Sequence, residues 1–270
     1  MKNAFEDIQN IFQSPEKYLH SIFSNDGFSL PKYDNLKLFT VTPNEASQLN
    51  EVWKNLTVNC SQAEDCNYVL IDVNNKFSRS LKISFSGSNN IVIIGRQTTC
   101  RGKIVCAGNN GVIIVAGQNE KNCKVDIRLL DNNSIFFFGK QSTANQITCI
   151  INGLRKNVII GDDCMFARDV WLRNSDMHSI FDIDTGNWLN PAGNIIIEPH
   201  VWVGQDSLIL KNTEIGFGSI IGAKSLVNKK IPRCCIAAGI PAKVIKTNVS
   251  WDRPTEPRCS TIEHVRNFNK

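Results

Sequence analysis

Histidines are the residues of this chain best suited to move a proton near neutral pH, and there are four of them: His20, His178, His200 and His264. An imidazole with an ordinary pKa near 6.5 can accept a proton from a hydroxyl and return it to a leaving group. His178 stands close to Asp176 and Asp182 in a polar segment that also contains glycine and proline. The segment therefore offers a candidate general base with carboxylates that could orient it, although a single loop histidine is more often a solvated side chain and each Asp is equally suited to forming a turn.

The elements around this segment follow a six-residue repeat. Six aliphatic side chains recur at an unbroken interval of six: Ile197, Val203, Ile209, Ile215, Ile221 and Val227. Neither a helical period of 3.6 nor a strand period of 2 explains that interval, whereas one short strand and one corner per hexad does. Three such faces close a coil of about 18 residues, so the pattern predicts a parallel β-solenoid with a thin aliphatic core.

A looser version of the repeat extends upstream. Four aliphatic runs, NNIVIIG, NNGVIIVAG, NNSIFFFG and KNVIIG, end on glycines that are each 22 residues after the last: Gly95, Gly117, Gly139 and Gly161. This spacing predicts further three-faced coils with a slightly larger corner, where the asparagines suit left-handed backbone. Four evenly spaced hairpins are the alternative.

The repeat is interrupted once. Ile160, Phe166 and Leu172 are six apart, but the next aliphatic residue in register is Ile197, so about 19 residues are inserted. Long loops on rigid scaffolds commonly carry binding and catalytic groups. We therefore predict a functional loop at residues 173–194, which contains His178.

Three regions follow from these patterns. Residues 1–80 lack the repeat and read as a mixed α/β cap, with helices from Asn3 to about Phe23 and from Pro43. Residues 81–246 form the solenoid, and residues 247–270 read as a polar tail with little core. Terminal caps are a general need of solenoids, because their end coils expose apolar surface.

Composition limits the classes of function. The chain is 42% hydrophobic and 20% charged, as is usual for globular proteins, and its N-terminus lacks a signal-peptide pattern. We expect a cytoplasmic protein without a membrane span. A net charge of +5 could attract an acidic polymer or nucleotide phosphates. Among anionic partners, nucleic acid is the least favoured, because aromatic residues do not interleave with the basic ones.

Two stretches carry a resemblance to a known family. The run from Ile195 to Pro232, IIIEPHVWVGQDSLILKNTEIGFGSIIGAKSLVNKKIP, is followed by AGIPAKVIK, and the inserted loop contains SDMHSIFD. These stretches resemble hexapeptide-repeat acyltransferases, most closely the O-acetyltransferases of bacterial capsular polysaccharides and of sialic acid capsules. The resemblance covers about half of the chain. It implies a left-handed parallel β-helix, a homotrimer with active sites between neighbouring solenoids, acetyl-CoA as the acetyl donor, and no metal.

The resemblance also implies roles for individual residues. His178 is the expected general base, Trp202 lines the active site, and Asp176 orients the histidine or the loop. Strand alternation predicts that His200 and Trp202 both point outward between buried neighbours, which makes His200 a second candidate base. Packing against another subunit is the alternative reason for an outward Trp202.

Coenzyme A is expected toward the C-terminal coils. By position, the resemblance places it against Gly204, Gly222, Ala223, Lys224, Pro241, Ala242 and Lys243. Glycine and alanine allow close approach to the backbone, and lysines meet phosphate charge. Ile240 stands where the family often has Asn, and Asn228 stands in place of an aromatic residue, which bears on the identity of the acceptor.

The predicted function is therefore acetyl-CoA-dependent O-acetylation of a capsular polysaccharide or its sugar, by direct attack. One alternative is N-acylation of a nucleotide-linked amino sugar, and another is a non-catalytic solenoid scaffold. Zinc-dependent hydration on this fold needs three histidines, and the solenoid supplies only His178 and His200.

Overall fold

The computed structural model describes residues 36–42, 46, 49, 51–61, 66–75, 77, 79–119 and 122–268. These residues form a β-solenoid built from two sheets and a C-terminal helix, α1 (Cys259–Phe268). The sequence-predicted helix from Asn3 to Phe23 and the start of the next at Pro43 lie outside the described residues. No helix in the described part of the chain is long and apolar enough to cross a membrane.

Sheet A runs the length of the solenoid as eight strands within the described residues. Its first two strands pair antiparallel and the others pair parallel. In spatial order the strands are β1 (Leu36–Val41), β3 (Asn67–Asp72), β5 (Ile91–Ile94), β7 (Val112–Val115), β9 (Ile135–Phe138), β11 (Asn157–Ile160), β14 (Ile195–Ile197) and β17 (Thr213–Ile215).

Sheet B changes character along the solenoid. Its upstream strands are long: β2 (Leu56–Cys60), β4 (Leu81–Phe85), β6 (Cys100–Cys106), β8 (Cys123–Leu129) and β10 (Thr143–Ile151). Downstream, each coil contributes two short strands instead: β12 (Met165–Phe166) with β13 (Val170–Arg173), β15 (Trp202–Val203) with β16 (Leu208–Leu210), and β18 (Ile220–Ile221) with β19 (Leu226–Val227). An antiparallel pair, β20 (Cys235–Gly239) and β21 (Ala242–Thr247), closes the sheet.

Strand β10 is where two-faced coils become three-faced coils. Its residues Thr143 and Ala144 pair with β12, its residues Ile147 to Ile150 pair with β13, and the register shifts between them. Upstream partners such as Ile135 and Asn157 are 22 residues apart, whereas downstream partners such as Ile195 and Thr213 are 18 apart. The prediction of three faces upstream is therefore wrong, because each upstream coil has one continuous strand in sheet B where each downstream coil has two.

The insertion between coils is confirmed. Val158 pairs with Ile195 and Trp171 pairs with Leu208, both 37 residues apart, which is 19 more than the 18 of an uninterrupted coil. The strands on both sides of the loop remain in register. The solenoid therefore continues beneath the inserted loop without a break.

The aliphatic repeat forms the core, as the sequence predicts. All six residues of the repeat, from Ile197 to Val227, have no solvent exposure. Four hydroxyl side chains two positions before them are also buried and donate to backbone carbonyls, as Ser219 Oγ does to Pro232 O at 2.7 Å. Buried polar groups are tolerated when they are paired in this way.

The parallel sheets already include β2 and β3, which lie inside the segment 1–80 that the sequence analysis set apart as a cap. The division into cap, solenoid and tail stays a prediction. The C-terminal segment is more than a polar tail, because Trp251 is buried and α1 contacts the solenoid through Phe268.

Cysteines mostly fill the core. Of the ten, Cys259 is exposed, Cys60 and Cys66 are half-buried, and the other seven are buried. Burial raises the pKa of the Cys164 thiol to about 12. These thiols therefore act as small apolar side chains.

Candidate active site

The inserted loop carries His178 on a narrow hairpin. Gly193 N donates to Asn174 O at 2.9 Å and closes the neck of the loop, and Phe181 bridges Trp188 farther out. The carboxylate of Asp182 accepts from Thr185 Oγ1 at 2.7 Å and from Thr185 N at 2.8 Å, which lowers the pKa of Asp182. Asp182 is thus a turn residue, one of the two roles that the sequence left open.

Asn190 organises the loop, and the sequence analysis did not single it out. Its Nδ2 donates to Asp176 Oδ2 at 2.8 Å and to the backbone carbonyl of His178 at 2.9 Å. Its Oδ1 accepts from Ile180 N at 2.6 Å and from Trp188 Nε1 at 2.9 Å. One side chain therefore fixes the backbone at His178 and Ile180 and also holds the carboxylate of Asp176. The available sequence signal was the dipeptide Asn-Pro at 190–191, which favours a turn.

Asp176 anchors the loop to the next coil. Its carboxylate pairs with Lys211, which follows β16, and Lys211 Nζ also donates to Asn190 O at 3.1 Å. Hydrogen bonds from Lys211 and then from Asn190 lower the pKa of Asp176. Within the described residues, no hydrogen bond joins Asp176 to the His178 ring. Asp176 places the loop, which is the second of the two roles expected for it.

His178 itself is exposed to solvent. The loop leaves the solenoid after β13 and returns at β14, so His178 stands at the corner between those two faces. Trp202 lies on β15, which belongs to the remaining face of the coil. The two side chains that the sequence groups together therefore lie on different sides of a single chain.

Trp202 points outward, as strand alternation predicts. It is 38% exposed, while Val201 and Val203 on either side have no exposure. Its ring lies 6.1 Å from that of Trp251, centroid to centroid. Trp202 lines a cleft of about 1340 Å³, whose other walls are formed by Met165, Cys234 and residues of the C-terminal segment such as Trp251. A large apolar ring here is available to a ligand.

The prediction that His200 points outward is wrong. His200 is 4% exposed and adopts a left-handed backbone conformation at a corner, so strand alternation does not govern it. The Trp251 ring stacks on it at 4.6 Å with an interplanar angle of 9°. Its Nδ1 lies 2.8 Å from Asp163 Oδ2 and its Nε2 lies 3.0 Å from Trp251 O. Both nitrogens are engaged, so His200 is a structural histidine rather than a second base.

Arg253 fastens the C-terminal segment to the solenoid. Its Nε donates to Asp163 Oδ1 at 2.9 Å and its Nη1 donates to Thr143 Oγ1 at 2.9 Å. Burial raises the pKa of Asp163, but hydrogen bonds from His200 and Arg253 outweigh it, so that the pKa lies below its ordinary value. His200, Asp163 and Arg253 thus form one polar cluster under Trp251.

Helix α1 is held by a second carboxylate. Asp252 Oδ2 accepts from the backbone N of Arg258 at 2.9 Å, and the Arg258 guanidinium bonds both carboxylate oxygens. These bonds, led by the one from the Arg258 side chain, hold the pKa of Asp252 well below its ordinary value. At the other end of the helix, Phe268 stacks on the buried Phe217 at 3.9 Å. The sequence-predicted tail is therefore docked at both ends.

The glycines predicted to meet coenzyme A stack along one corner of the solenoid. A methyl group on Gly204 would lie 2.5 Å from Ala223 N, and one on Gly222 would lie 2.8 Å from Ala238 Cβ. Both glycines are thus required by coil stacking, and they leave this corner without bulky side chains.

The remaining residues predicted for the cofactor lie at the same end. Ala223, Lys224, Pro241 and Lys243 are exposed, and Lys243 pairs in register with Ala238 beside the Gly222 corner. Ala242 differs, because the whole residue is only 1% exposed and belongs to the hydrophobic core. Lys224 lies 3.8 Å from Asp206, a loose pair that leaves most of its charge free.

Within the described residues, no three His, Cys, Asp or Glu side chains lie close enough together to hold a metal ion.

A parallel β-solenoid of 18-residue coils, with an inserted loop that carries an exposed histidine, is the architecture of the hexapeptide-repeat acyltransferases. No protein-family model matches the chain. A polysialic acid O-acetyltransferase of Neisseria meningitidis is 30% identical over 178 residues, which cover 65% of this chain and 81% of that protein. One from Escherichia coli O1:K1 / APEC is 47% identical over 97 residues, which cover 36% of this chain and 32% of that protein. This chain thus spans about a third of the length of the Escherichia coli relative.

A solved structure agrees with these relatives. The polysialic-acid-specific acetyltransferase NeuO superposes with a TM-score of 0.68 at 33% identity, covering 80% of this chain and 98% of that one. The chain therefore belongs to the family of polysialic acid O-acetyltransferases, whose fold is a left-handed parallel β-helix.

Proposed function

We propose that this chain uses acetyl-CoA to O-acetylate a capsular polysaccharide of sialic acid, with His178 as the general base. The observation that carries the proposal is an exposed histidine whose backbone carbonyl is held by Asn190, which also holds Asp176, in a chain of this family. The names of the relatives support polysialic acid as the acceptor. They do not favour N-acylation of a nucleotide-linked amino sugar or a non-catalytic scaffold.

The reaction needs one base and one oxyanion donor. The imidazole of His178 takes the proton of the acceptor hydroxyl, and the hydroxyl oxygen attacks the thioester carbonyl carbon. The carbon–sulfur bond breaks, and the imidazolium returns the proton to the thiolate of coenzyme A. We assign to Trp202 a wall of the site, with its indole N–H as a donor to the carbonyl oxygen.

Coenzyme A fits the corner formed by Gly204 and Gly222. The absence of side chains there lets a thin ligand approach the backbone, and Ala223 and Pro241 border the same surface. Lys224 and Lys243 are exposed and would meet its phosphates. Ala242 lies in the core beneath this surface.

The active site is proposed to lie between copies in a homotrimer. His178 and Trp202 lie on different sides of one chain, and we infer that one copy supplies the loop and its neighbour supplies β15. The loop also presents large apolar side chains to solvent, among them Phe181 at 61%, Ile183 at 91% and Trp188 at 63% exposure. Exposed apolar patches of this kind mark protein interfaces.

Acetyl-CoA turnover tests the activity. The release of free thiol is measured with polysialic acid, a neutral capsular polysaccharide and nucleotide-linked amino sugars as acceptors. We expect turnover with polysialic acid, and ester-linked acetate on the product. Turnover with the amino sugars instead, or with no acceptor, would refute the proposal.

Complementation tests the shared site. His178→Ala and Trp202→Ala are purified separately, unfolded, mixed and refolded together. If the two side chains come from different copies, mixed trimers contain one intact site and recover part of the wild-type activity. If the mixture stays inactive although mixed trimers are shown to form, both side chains of each active site come from one chain.

A further inference from the structure

The outer face of sheet B upstream of the loop is strongly basic. Lys82 on β4 lies directly opposite Lys103 on β6, and Arg101 on β6 lies opposite Lys124 on β8. We call these four residues the basic row. Lys82, Lys103 and Lys124 are exposed and Arg101 is half-buried, and each lies next to a buried residue of its own strand, so the side chains point outward from the sheet.

Within the described residues, no carboxylate forms an ion pair with the basic row, although Asp126 lies opposite Lys103 in register. The acid on this face, Asp126, is already paired with Arg128 through bonds of 3.0 and 3.1 Å. Arg101 and Lys124 donate instead to neutral amides, at 2.7 Å to Asn122 and 2.8 Å to Gln146. The charge of the row is therefore available to a ligand.

The arrangement is unfavourable for the isolated fold. Neighbouring strands lie about 4.8 Å apart, and like charges directly opposite each other on such strands are destabilising. Two such pairs follow one another here, Lys82 with Lys103 and Arg101 with Lys124. A bound polyanion would relieve this repulsion.

The row leads to the base of the loop. The ladder that contains Lys103 continues through Asp126 and Thr148 to Trp171 on β13, and the neighbouring ladder reaches Arg173. Lys82 and Trp171 are thus four strands apart, about 19 Å at the usual strand spacing. Arg173 ends β13, and His178 lies five residues farther along the chain.

We propose that the basic row binds the anionic polysaccharide acceptor and holds a stretch of it beside the sugar that reacts. This inference rests on the proposed function, because a polymer of sialic acid carries one carboxylate per sugar. Each exposed contact is weak, but several contacts on one polymer act together. Among the described residues, strands β4, β6 and β8 place no aromatic side chain between these cations on which bases would stack, so the basic row suits an anionic polysaccharide rather than a single-stranded nucleic acid.

The test compares the double variant Lys82→Gln/Lys103→Gln with wild type. The control, Lys229→Gln/Lys246→Gln, removes two exposed lysines at the other end of the solenoid. The acceptors are long polysialic acid and a short sialic acid oligomer. We expect the double variant to raise the KM for the long polymer about 5- to 10-fold, with little change in kcat, in the KM for the short oligomer or in the KM for acetyl-CoA.

Direct binding separates this inference from the proposed function. Fluorescently labelled polysialic acid is titrated with full-length protein without acetyl-CoA, at low and high salt, with dextran and single-stranded DNA as comparison polymers. If the double variant binds polysialic acid more weakly and with less salt dependence, and the control variant does not, the result supports binding at the basic row. This holds even if no acetyl transfer to polysialic acid is found. The inference would be overturned if the double variant kept the binding and KM of wild type, or if the control variant lost as much affinity. Binding of DNA in preference to polysialic acid would also overturn it. None of these outcomes bears on acetyl transfer itself.

Discussion

The side-chain amide of Asn190 donates to the backbone carbonyl of His178 at 2.9 Å and also holds Asp176, which is paired with Lys211 on the next coil. The loop is thereby attached to the solenoid through a side chain at its base rather than through its apolar tip. We therefore expect Asn190 to position His178 without touching the substrate.

Replacing Asn190 with Ala should lower kcat about 10-fold, because four hydrogen bonds that fix the loop are lost. Thermal stability should change little, since the loop is exposed. The control is Asn187→Ala in the same loop, whose side chain makes no hydrogen bond within the described residues. Equal kinetics for the two variants would show that Asn190 does not position His178.

His178 and His200 should respond to removal in opposite ways. His178→Ala should lower kcat by at least about 100-fold, the usual scale for loss of a general base, with the free energy of unfolding unchanged. His200→Ala should cost about 2–3 kcal/mol of stability, because Asp163 and the Trp251 carbonyl lose a buried partner, while folded enzyme keeps most of its activity. Urea unfolding and initial rates measure both. A large loss of kcat without loss of stability in His200→Ala would restore it as a candidate base.

The Asp163 cluster predicts a pH dependence of stability. The pKa of Asp163 in the folded protein lies below its ordinary value of 3.8, so its contribution is complete above about pH 4 and is lost as the pH falls through the folded-state pKa. Urea unfolding of wild type from pH 5 down to pH 2.5 should show this decline. Asp163→Asn should be less stable at pH 5 and show a shallower decline below pH 4. An equally steep decline in the variant would contradict the cluster.

Gly204 tests whether the corner glycines are needed for stacking. Gly204→Ala would force a methyl group to within 2.5 Å of the Ala223 backbone, so we expect a loss of about 1–3 kcal/mol. Gly186→Ala in the loop meets nothing within 4 Å and carries only the cost of its left-handed backbone, about 1 kcal/mol. Thermal unfolding compares the two. If Gly204→Ala kept full stability but raised the KM for acetyl-CoA, the cofactor rather than stacking would account for the glycine.

Thiol labelling tests the burial of the cysteines. In the native protein, iodoacetamide should modify Cys259 first, because Cys259 is the exposed one among the ten. The buried thiols, such as Cys106 and Cys149, should react only after denaturation, since burial also raises their pKa values. Peptide mapping by mass spectrometry identifies the labelled sites. Early labelling of Cys106 or Cys149 would contradict the packed core.

The sequence predicted the parts of the fold that repeat. The six-residue repeat from Ile197 to Val227 predicted the core and the 18-residue coil. The interruption of the same repeat after Leu172 predicted the position and the length of the loop. Local periodicity carries this information because each coil contacts mainly its neighbours. The two-faced coils upstream were missed, because a spacing of 22 does not reveal whether a corner or a straight strand separates two faces.

Contacts between distant parts of the chain were not predictable. His200 and Trp251 are 51 residues apart, and nothing in the local pattern shows that the C-terminal segment covers that corner. Asn190 was missed for a related reason, since its role depends on a loop conformation rather than on a motif. Asp176 was singled out, but as a partner of the imidazole as much as of the loop.

The neck formed by Asn174 and Gly193 makes the loop separable from its scaffold. Because the strands before and after it remain in register, excising residues 175–193 would join Asn174 to Asn194 and leave a coil of regular length. The loop that carries His178 is thus an insertion between two coils whose stacking does not depend on its length. Loops from related enzymes could be exchanged at this junction without rebuilding the core.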